Sequence, residues 1–283
     1  MERFDIAIIG TGPAGLEAAL TAKVRNKNII LIGTKSLSTK VEKAHLINNY
    51  LGMPAVAGDE MQKKFLEHLA SLNIEITEDR VNTIYAMGDY FAIQGHGDMY
   101  EASSVILTCG VSAAKPYPGE LENLGRGVSY CATCDAALYN GKNAIVVGFS
   151  KEEEKEAEFL AEVADEVCYL PMYEVVEPIS DKLKVVSGKP VAIERVDNKS
   201  VLKLEEGELT ADGIFILRDN VAPSQLVPGL EIEGGHVAVD RKLNTNIPGL
   251  FAAGDITGTP YQYIKAAGEG NVAALSAVNY LAK

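Results

Sequence analysis

Two cysteines separated by two residues, Cys131 and Cys134, have the most specific chemistry in this 283-residue chain. Such a pair can form a disulfide at the start of a helix, where the helix dipole lowers the pKa of one thiol. A zinc half-site has the same spacing, but the sequence offers neither a second cysteine pair nor a nearby histidine to complete four ligands. The pattern therefore predicts a redox-active dithiol and no metal site.

A glycine-rich segment, Gly10-Thr11-Gly12-Pro13-Ala14-Gly15, lies between a predicted strand at residues 4–9 and a predicted helix at residues 16–24. In a strand-turn-helix unit the first glycine permits the tight turn. The second lets the backbone approach a pyrophosphate, and the third lets helix and strand pack closely. The segment predicts a dinucleotide site at the opening of a doubly wound α/β domain.

The expected partners of this dinucleotide lie at two distant places in the chain. The second predicted strand, at residues 28–32, is not followed by the usual acid, so Thr34, Ser36 or backbone groups must hold the ribose. Near the C-terminus a predicted strand ends at Gly254 and Asp255. Tyr261, Gln262 and Tyr263 follow, before a predicted helix at residues 264–280.

A second strand-helix-strand unit occupies the middle of the chain, with strands at residues 143–148 and 166–170 and an acidic helix at residues 151–164. The segment from Gly249 returns to the pattern of the first domain. We therefore predict two Rossmann-like α/β domains, the second inserted into the first. The first comprises residues 1–112 and 242–283, and the inserted domain comprises residues 113–241. Two chain crossings permit a hinge rotation between such domains.

Motifs along the whole chain resemble the low-molecular-weight thioredoxin reductase family, in the family's order. They are the loop from Gly10 to Gly15, the turn Ile47-Asn48-Asn49-Tyr50, the segment Thr108-Cys109-Gly110, the redox motif from Cys131 to Asp135, and the segment from Ile247 to Asp255. The resemblance implies three-layer ββα domains and an FAD cofactor. It implies that Asp255 binds the ribityl or pyrophosphate region, and that Gln262 with its helix N-terminus faces the flavin, where the helix dipole stabilises a reduced ring. The residues predicted to contact FAD are Gly10, Gly12, Pro13, Ala14, Gly15, Thr34, Asn49, Cys109, Gly110, Gly254, Asp255, Tyr261, Gln262 and Tyr263.

The same resemblance assigns roles within the redox motif. Cys134 is the sulfur that meets the flavin, and Cys131 attacks the disulfide of thioredoxin. Asp135 acts as acid and base for the thiols, a role that requires a carboxyl group within one hydrogen bond.

The second nucleotide site departs from the family pattern in three places. Its loop has Ser150 in place of the second glycine and Glu153 in place of the third small residue, with carboxylates at the helix start that would repel a phosphate. No arginine follows the next strand in Leu170-Pro171-Met172-Tyr173-Glu174, and the later turn reads Arg218-Asp219-Asn220. These losses argue against NADPH binding.

The electron donor must then be another molecule, and the sequence is similar to the ferredoxin-dependent flavin thioredoxin reductases that lack the NADPH motifs. One alternative is an NAD(P)H-dependent disulfide reductase with an atypical nucleotide site. A flavin ferredoxin:NADP reductase is disfavoured by the cysteine pair. The non-enzymatic alternative is a flavin redox sensor.

Charge and composition limit the classes of partner that the protein can bind. A net charge of -13 argues against nucleic acid and anionic membranes. No secretory leader or membrane span is recognised, so a cytoplasmic location is expected. Residues 22–64 have eight basic and three acidic side chains, a local +5 that predicts either a solvated face or a docking site for an acidic ferredoxin. Charge reversal at Lys23, Arg25 and Lys27 is expected to raise the KM for ferredoxin.

The remaining expectations concern single residues and assembly. Cys109 and Cys168 are predicted to be buried and structural. The four histidines are predicted to lie on the surface or in turns. A homodimer is implied by the resemblance alone.

Overall fold

The computed structural model describes residues 3–42, 44–110, 116–130, 132–151, 153–176, 178–218 and 223–282. Cys131 lies outside these residues. The backbone of Thr133 and Cys134 is described, but their side chains are not.

Seventeen strands are defined within the described residues. In chain order they are β1 (Arg3–Ile9), β2 (Ile29–Gly33), β3 (Ile76–Glu78), β4 (Val81–Ala86), β5 (Phe91–Gly95), β6 (Met99–Leu107), β7 (Val128–Ser129), β8 (Asn143–Gly148), β9 (Glu166–Pro171), β10 (Lys184–Val185), β11 (Pro190–Val196), β12 (Lys199–Leu204), β13 (Glu208–Ala211), β14 (Gly213–Leu217), β15 (Ile232–Glu233), β16 (His236–Val237) and β17 (Leu250–Ala252).

The helices defined within the described residues are fewer, and three of them have 12 residues or more. They are α1 (Pro13–Val24), α2 (Thr39–Glu42), α3 (Gly58–Ser71), α4 (Ala132–Asp135), α5 (Glu153–Ala161), α6 (Pro223–Leu226) and α7 (Tyr263–Tyr280), with 3₁₀ turns at Ala136–Tyr139 and Asp255–Thr257.

The chain divides into two compact units, residues 1–111 with 222–283 and residues 112–221. In the first unit, the strands β3-β2-β1-β6 form a parallel sheet that β17 extends by pairing with the last residues of β6. The first residues of β6 instead continue into the antiparallel meander β6-β5-β4. Helices α1 and α7 contact each other and pack against β6. The main core lies between the helices and the sheet, and it includes Ile8, Ala18, Phe251 and Ala274.

The second unit has a parallel sheet of order β10-β9-β8-β14-β7 and a separate antiparallel sheet of order β11-β12-β13. Alternate residues of β8 and β14 face two different cores, as the period of a strand requires. Val146 and Phe215 pack with Ala157 and Leu160 of α5, whereas Ile145 and Ile214 pack with residues of β11 and β12. The antiparallel sheet, the parallel sheet and helix α5 therefore form three layers in this unit. The predicted fold class is confirmed.

The second connection between the units lies earlier than the predicted boundary at 241/242. Residues 222–241 belong to the first unit because α6 contacts β4 and β16 contacts the 3₁₀ turn at Asp255–Thr257. The short strands β15 and β16 alternate too little to be recognised from sequence. In the described residues no helix is both long and apolar enough to cross a membrane.

Candidate functional site

The glycine segment of the first unit has the geometry of a pyrophosphate cradle. Gly10 has a positive φ of 117°, and a Cβ atom there would lie 2.6 Å from the carbonyl oxygen of Thr108. A Cβ on Gly15 would collide with the carbonyl of Gly10. By contrast, nothing lies within 4 Å of a Cβ on Gly12, which immediately precedes α1. No acidic side chain occupies the first turn of α1, so its amides can bind an anion.

The C-terminal segment meets this cradle. Gly254 has φ 90°, and a Cβ there would lie 2.9 Å from the Cβ of Ala14. Gly270 of α7 faces the backbone of Ala14, leaving no room for a side chain. Asp255 follows at the start of a 3₁₀ turn. Its carboxylate can accept hydrogen bonds from ligand hydroxyls.

Two charged residues that sequence reasoning missed hold this turn in place. Glu269 Oε2 accepts hydrogen bonds from the amide of Gly254 and the hydroxyl of Thr257, both at 2.8 Å. Lys265 Nζ donates to the carbonyls of Gly254 at 2.9 Å and Gly258 at 2.8 Å, and pairs with Glu269 at 3.0 Å. Their spacing of four residues on a predicted helix was the available signal.

The turn after α2 and the start of α7 also come together. Asn49 Nδ2 donates a hydrogen bond of 2.7 Å to Gln262 Oε1, although the residues are 213 positions apart. Tyr263 packs in a small core with Tyr50, and burial raises the pKa of both phenols. The Tyr261 hydroxyl forms a hydrogen bond of 2.6 Å with the ring of His236. This histidine, predicted to be a surface or turn residue, thus orients a predicted site residue.

Thr34 and the segment at Cys109 lie beside the glycine cradle. The Thr34 carbonyl accepts from Thr11 Oγ1 at 3.0 Å, while the Thr34 hydroxyl donates to the carbonyl of Leu37 at 2.8 Å. That hydroxyl can therefore serve a ribose only as an acceptor. Gly110 has φ 72° at the exit of the unit. Cys109 and Cys168, predicted to be buried, are partly buried, and loss of hydration raises the pKa of both thiols, that of Cys109 to about 11.

The described residues around the redox motif form a polar frame. Asp135 Oδ2 accepts a hydrogen bond of 2.7 Å from Ser129 Oγ. The amide of Ala132 donates to Glu156 Oε2 at 3.2 Å. The Tyr130 hydroxyl donates to Glu120 Oε1 at 2.9 Å. The predicted roles of Cys131 and of the Cys134 side chain lie outside the described residues.

Glu120 belongs to a buried ion pair that sequence reasoning did not identify. Its carboxylate is 0% exposed and accepts hydrogen bonds from both terminal nitrogens of Arg218, at 2.5 and 2.8 Å. The amide of Tyr117 also donates to Glu120 at 2.8 Å. The guanidinium lies over the rings of Phe149 and Tyr117, at 5.1 and 5.5 Å from their centres. Arg218, which departs from the family pattern, thus has a structural partner in Glu120.

Side chains of the second unit contact one another near the place where a second dinucleotide would be expected. In α/β sheets ligands bind at the carboxyl ends of the strands where the strand order reverses, here between β8 and β14. Phe149 and Arg218 follow those two strands and stack on each other. On the other side of Gly148, the Tyr169 hydroxyl is bonded to that of Tyr173 at 3.3 Å, and Tyr173 donates to Glu154 in the first turn of α5.

The fold and the site together define a two-unit flavin and disulfide oxidoreductase. The chain belongs to the pyridine nucleotide-disulphide oxidoreductase family, whose sequence profile matches residues 4–270. Its cofactor is FAD, and its type is that of the thioredoxin reductases.

Among solved structures, the chain is similar to a ferredoxin-flavin thioredoxin reductase from Clostridium acetobutylicum, with 53% identity, a TM-score of 0.93, and coverage of 100% of this chain and 99% of the other. An atypical thioredoxin reductase from Desulfovibrio vulgaris is 28% identical with a TM-score of 0.74, covering 99% and 98%. Thioredoxin reductase of Bacillus subtilis is 29% identical over 306 residues, covering 98% of this chain and 95% of the relative.

Proposed function

We propose that this protein is a thioredoxin-disulfide reductase that receives its electrons from reduced ferredoxin. The observation that carries the proposal is the contrast within the second unit. The Cys-Ala-Thr-Cys motif is intact, whereas Arg218 stacks on Phe149 and Tyr173 bonds to Glu154 near the strand ends where a pyridine nucleotide would be expected to bind. The similarity to a ferredoxin-flavin thioredoxin reductase supports the same donor.

The chain's own residues supply binding and proton handling. The cradle of Gly10, Gly12 and Gly15 with Asp255 would hold FAD, which when bound would supply the two electrons that reduce a disulfide. Reduction of a disulfide to two thiols consumes two electrons and two protons. Cys131 forms a mixed disulfide with thioredoxin, Cys134 completes the exchange, and Asp135 exchanges protons with the thiols.

The redox energetics permit this direction of flow. A low-potential ferredoxin lies near roughly -400 mV, and thioredoxin lies near about -270 mV. Transfer of two electrons across that difference releases on the order of 6 kcal/mol. No hydride donor is required.

The cavity next to β9 also argues against NADPH as the electron donor. It has a volume of about 580 Å³ and is lined by residues from Pro171 to Glu174 and from Val185 to Lys189. Its described lining contains one cation, Lys189, which is already paired with Glu205 at 3.7 Å, and it contains the carboxylate of Glu174. A 2'-phosphate would meet an acid there instead of an arginine cluster.

Anaerobic stopped-flow reduction of the bound flavin tests the donor directly. Reduced ferredoxin should bleach the flavin rapidly, and NADPH and NADH should not. Fast bleaching by NADPH with none by ferredoxin would contradict the proposal and would favour a nucleotide-dependent reductase with an atypical site.

The basic segment of residues 22–64 is our proposed docking region for ferredoxin, and its members separate into two groups. Lys23, Arg25 and Lys27 lie at and beyond the end of α1, with Lys23 about 15 Å along the helix from Pro13. Lys63 and Lys64 lie on α3 next to Phe65, whose ring packs against Tyr50 beside Asn49. Electron transfer slows steeply with distance, so we place the docking on the α3 group.

The double variant K63E/K64E should raise the KM for ferredoxin and reduce its dependence on salt, because both effects come from attraction between opposite charges. The triple variant K23E/R25E/K27E is the control, and it should have the smaller effect. No effect from either variant would return these basic residues to an ordinary solvated surface. An effect of the triple variant as large as that of the double variant would contradict the placement of the docking on α3.

A substitution in the cysteine pair distinguishes an enzyme from a non-enzymatic redox sensor. C131S should reduce thioredoxin turnover to zero while leaving flavin reduction by ferredoxin intact. A parent protein that binds thioredoxin without turning it over would instead indicate a sensor.

A cytoplasmic homodimer completes the proposal. The similarity to thioredoxin reductases supports it. Light scattering of the holoprotein should give twice the chain mass, and a monomeric mass would contradict it.

A further inference from the structure

The turn that contains Asp255 is held at both ends by one lysine of α7. Lys265 Nζ donates to the carbonyl of Gly254 at 2.9 Å and to the carbonyl of Gly258 at 2.8 Å. These two glycines flank the turn with φ angles of 90° and 120°, a region that glycine adopts more readily than other residues. A single ammonium group thus ties the two ends of the turn together.

Glu269, one helical turn later, binds the same segment. Its Oε2 accepts from the amide of Gly254 at 2.8 Å and lies 3.0 Å from Lys265 Nζ. Both side chains are largely buried, which strengthens these bonds relative to exposed ones. The amide and the carbonyl of Gly254 are therefore both bound by α7, at the residue where a Cβ would lie 2.9 Å from the Cβ of Ala14. The pair fixes the point at which the C-terminal segment meets the glycine cradle.

The positions of the two charges do not favour the helix itself. Lys265 is the third residue of a helix that begins at Tyr263, and a cation in the first turn opposes the helix dipole. Lysine before glutamate is also the weaker order for an ion pair four residues apart. Both charges would stabilise α7 more if they were exchanged. Their present order instead serves the turn, because only the lysine can donate to its carbonyls.

We propose that Lys265 and Glu269 are positioning residues for FAD, which hold the turn of residues 254–258 in its binding conformation before the cofactor binds. Lys265 acts through directed hydrogen bonds to two carbonyls, and its charge alone does not suffice. A preformed site binds more tightly, because only the competent fraction of a protein takes up ligand. This inference rests on the proposed contact of Asp255 with FAD and is independent of the electron donor.

Titration of the full-length apoprotein with FAD measures the contribution of the pair. K265M keeps the length of the side chain but removes its charge and its donors, and it should weaken FAD binding about tenfold. Amide hydrogen exchange of residues 254–258 in the apoprotein should accelerate, because the turn opens more often. K182M removes an exposed ion pair of 3.1 Å with Glu162 in the second unit, and this control should match the parent in both measurements.

The exchanged pair K265E/E269K separates the hydrogen bonds from the stability of the helix. It places an acid in the first helical turn and creates the favoured order of charges, but glutamate cannot donate to the two carbonyls. FAD binding should be weakened as in K265M, and binding as tight as in the parent would overturn the inference. This variant also covers the case in which K265M does not fold. Parent-like FAD binding by K265M would overturn the inference too, whether or not its amide exchange is faster.

D255A is titrated in the same series. Weak FAD binding by D255A together with parent-like binding by K265M contradicts only the role of the pair. Parent-like binding by D255A contradicts the proposed contact of Asp255 with FAD, on which the inference rests.

Discussion

At the scale of single residues, Arg218 departs from the family's nucleotide-side turn and makes a different contact, an ion pair with Glu120. The sequence presents Arg218 only as a departure from the nucleotide-side turn. In the structure it forms two hydrogen bonds to a fully buried carboxylate and stacks on Phe149. Because Tyr130 also donates to Glu120, the pair supports the residue that precedes Cys131.

Removal of Arg218 should leave Glu120 as an uncompensated buried charge. We expect R218M to destabilise the second unit by about 3–5 kcal/mol. E120Q/R218M should recover much of that loss, because it removes the buried charge while the amide oxygen can still accept from Tyr117 and Tyr130. The control K189M removes an exposed ion pair with Glu205 and should cost about 0–1 kcal/mol. Denaturant unfolding followed by circular dichroism measures all three. A double variant as unstable as R218M would mean that the stacked rings, and not the charge, require the arginine.

The thiols outside the redox motif should react slowly. Because the pKa of Cys109 is raised to about 11, a smaller fraction of it is thiolate at any pH below that value, and its reactivity appears only as the pH approaches 11. In C131S/C134S, alkylation of Cys109 near pH 8 should be on the order of a hundredfold slower than that of a free cysteine. Peptide mass spectrometry across a pH series measures the rate. Rapid labelling near neutral pH would show that Cys109 is hydrated.

At the scale of elements, α7 packs directly on α1 and closes the proposed FAD cradle. The contact depends on small residues, because Gly270 meets the backbone of Ala14 and Ala273, Ala274 and Ala277 are fully buried. The same helix contains Gly268, around which nothing lies within 4 Å of a Cβ. Two glycines two residues apart therefore have different physical roles.

This difference predicts opposite effects of one methyl group. G270A should push α7 away from α1 and lower both the FAD content and the unfolding midpoint of the holoprotein. G268A should be neutral or stabilising by about 0.5–1 kcal/mol, because alanine favours a helix interior over glycine. The flavin-to-protein absorbance ratio and thermal unfolding report both effects. Equal behaviour of the two variants would contradict the close packing of the two helices.

At the scale of the whole molecule, the two units differ in how the chain builds them. The second unit is one continuous segment with two cores of its own, whereas the first unit needs strands from both ends of the sequence. The β15–β16 hairpin belongs to the first unit through its contact with the turn at Asp255–Thr257. The predicted hinge rotation at the two connections stays a prediction.

Excision experiments separate the observed boundary from the sequence-based one. Replacing residues 112–221 with a flexible linker should leave a first unit that folds and binds FAD, because every described contact of the cradle is kept. Replacing residues 113–241 should abolish FAD binding, since it also removes His236, the partner of Tyr261. Flavin content of the purified variants is the measurement. FAD binding by the second variant would place the hairpin outside the first unit.

The sequence by itself determined the fold class and the chemistry. Runs of buried residues such as those of β1 and β8 and the spacing of Gly10, Gly12 and Gly15 are local patterns, and local backbone geometry fixes their meaning. The second strand-helix-strand unit was recognised in the same way, with a helix that ends at Ala161 rather than near residue 164. The cysteine motif is also local, and its catalytic role follows from the resemblance.

Only the tertiary structure decided which distant residues meet. The bond between Asn49 and Gln262, the pair of Glu120 and Arg218, and the contact of Glu156 with Ala132 each join segments far apart in sequence. A charged residue on a helix has no sequence signal that distinguishes a solvated position from a buried one. The free energy of burying a carboxylate depends on whether another segment brings a donor to it, and only the packed chain contains that information.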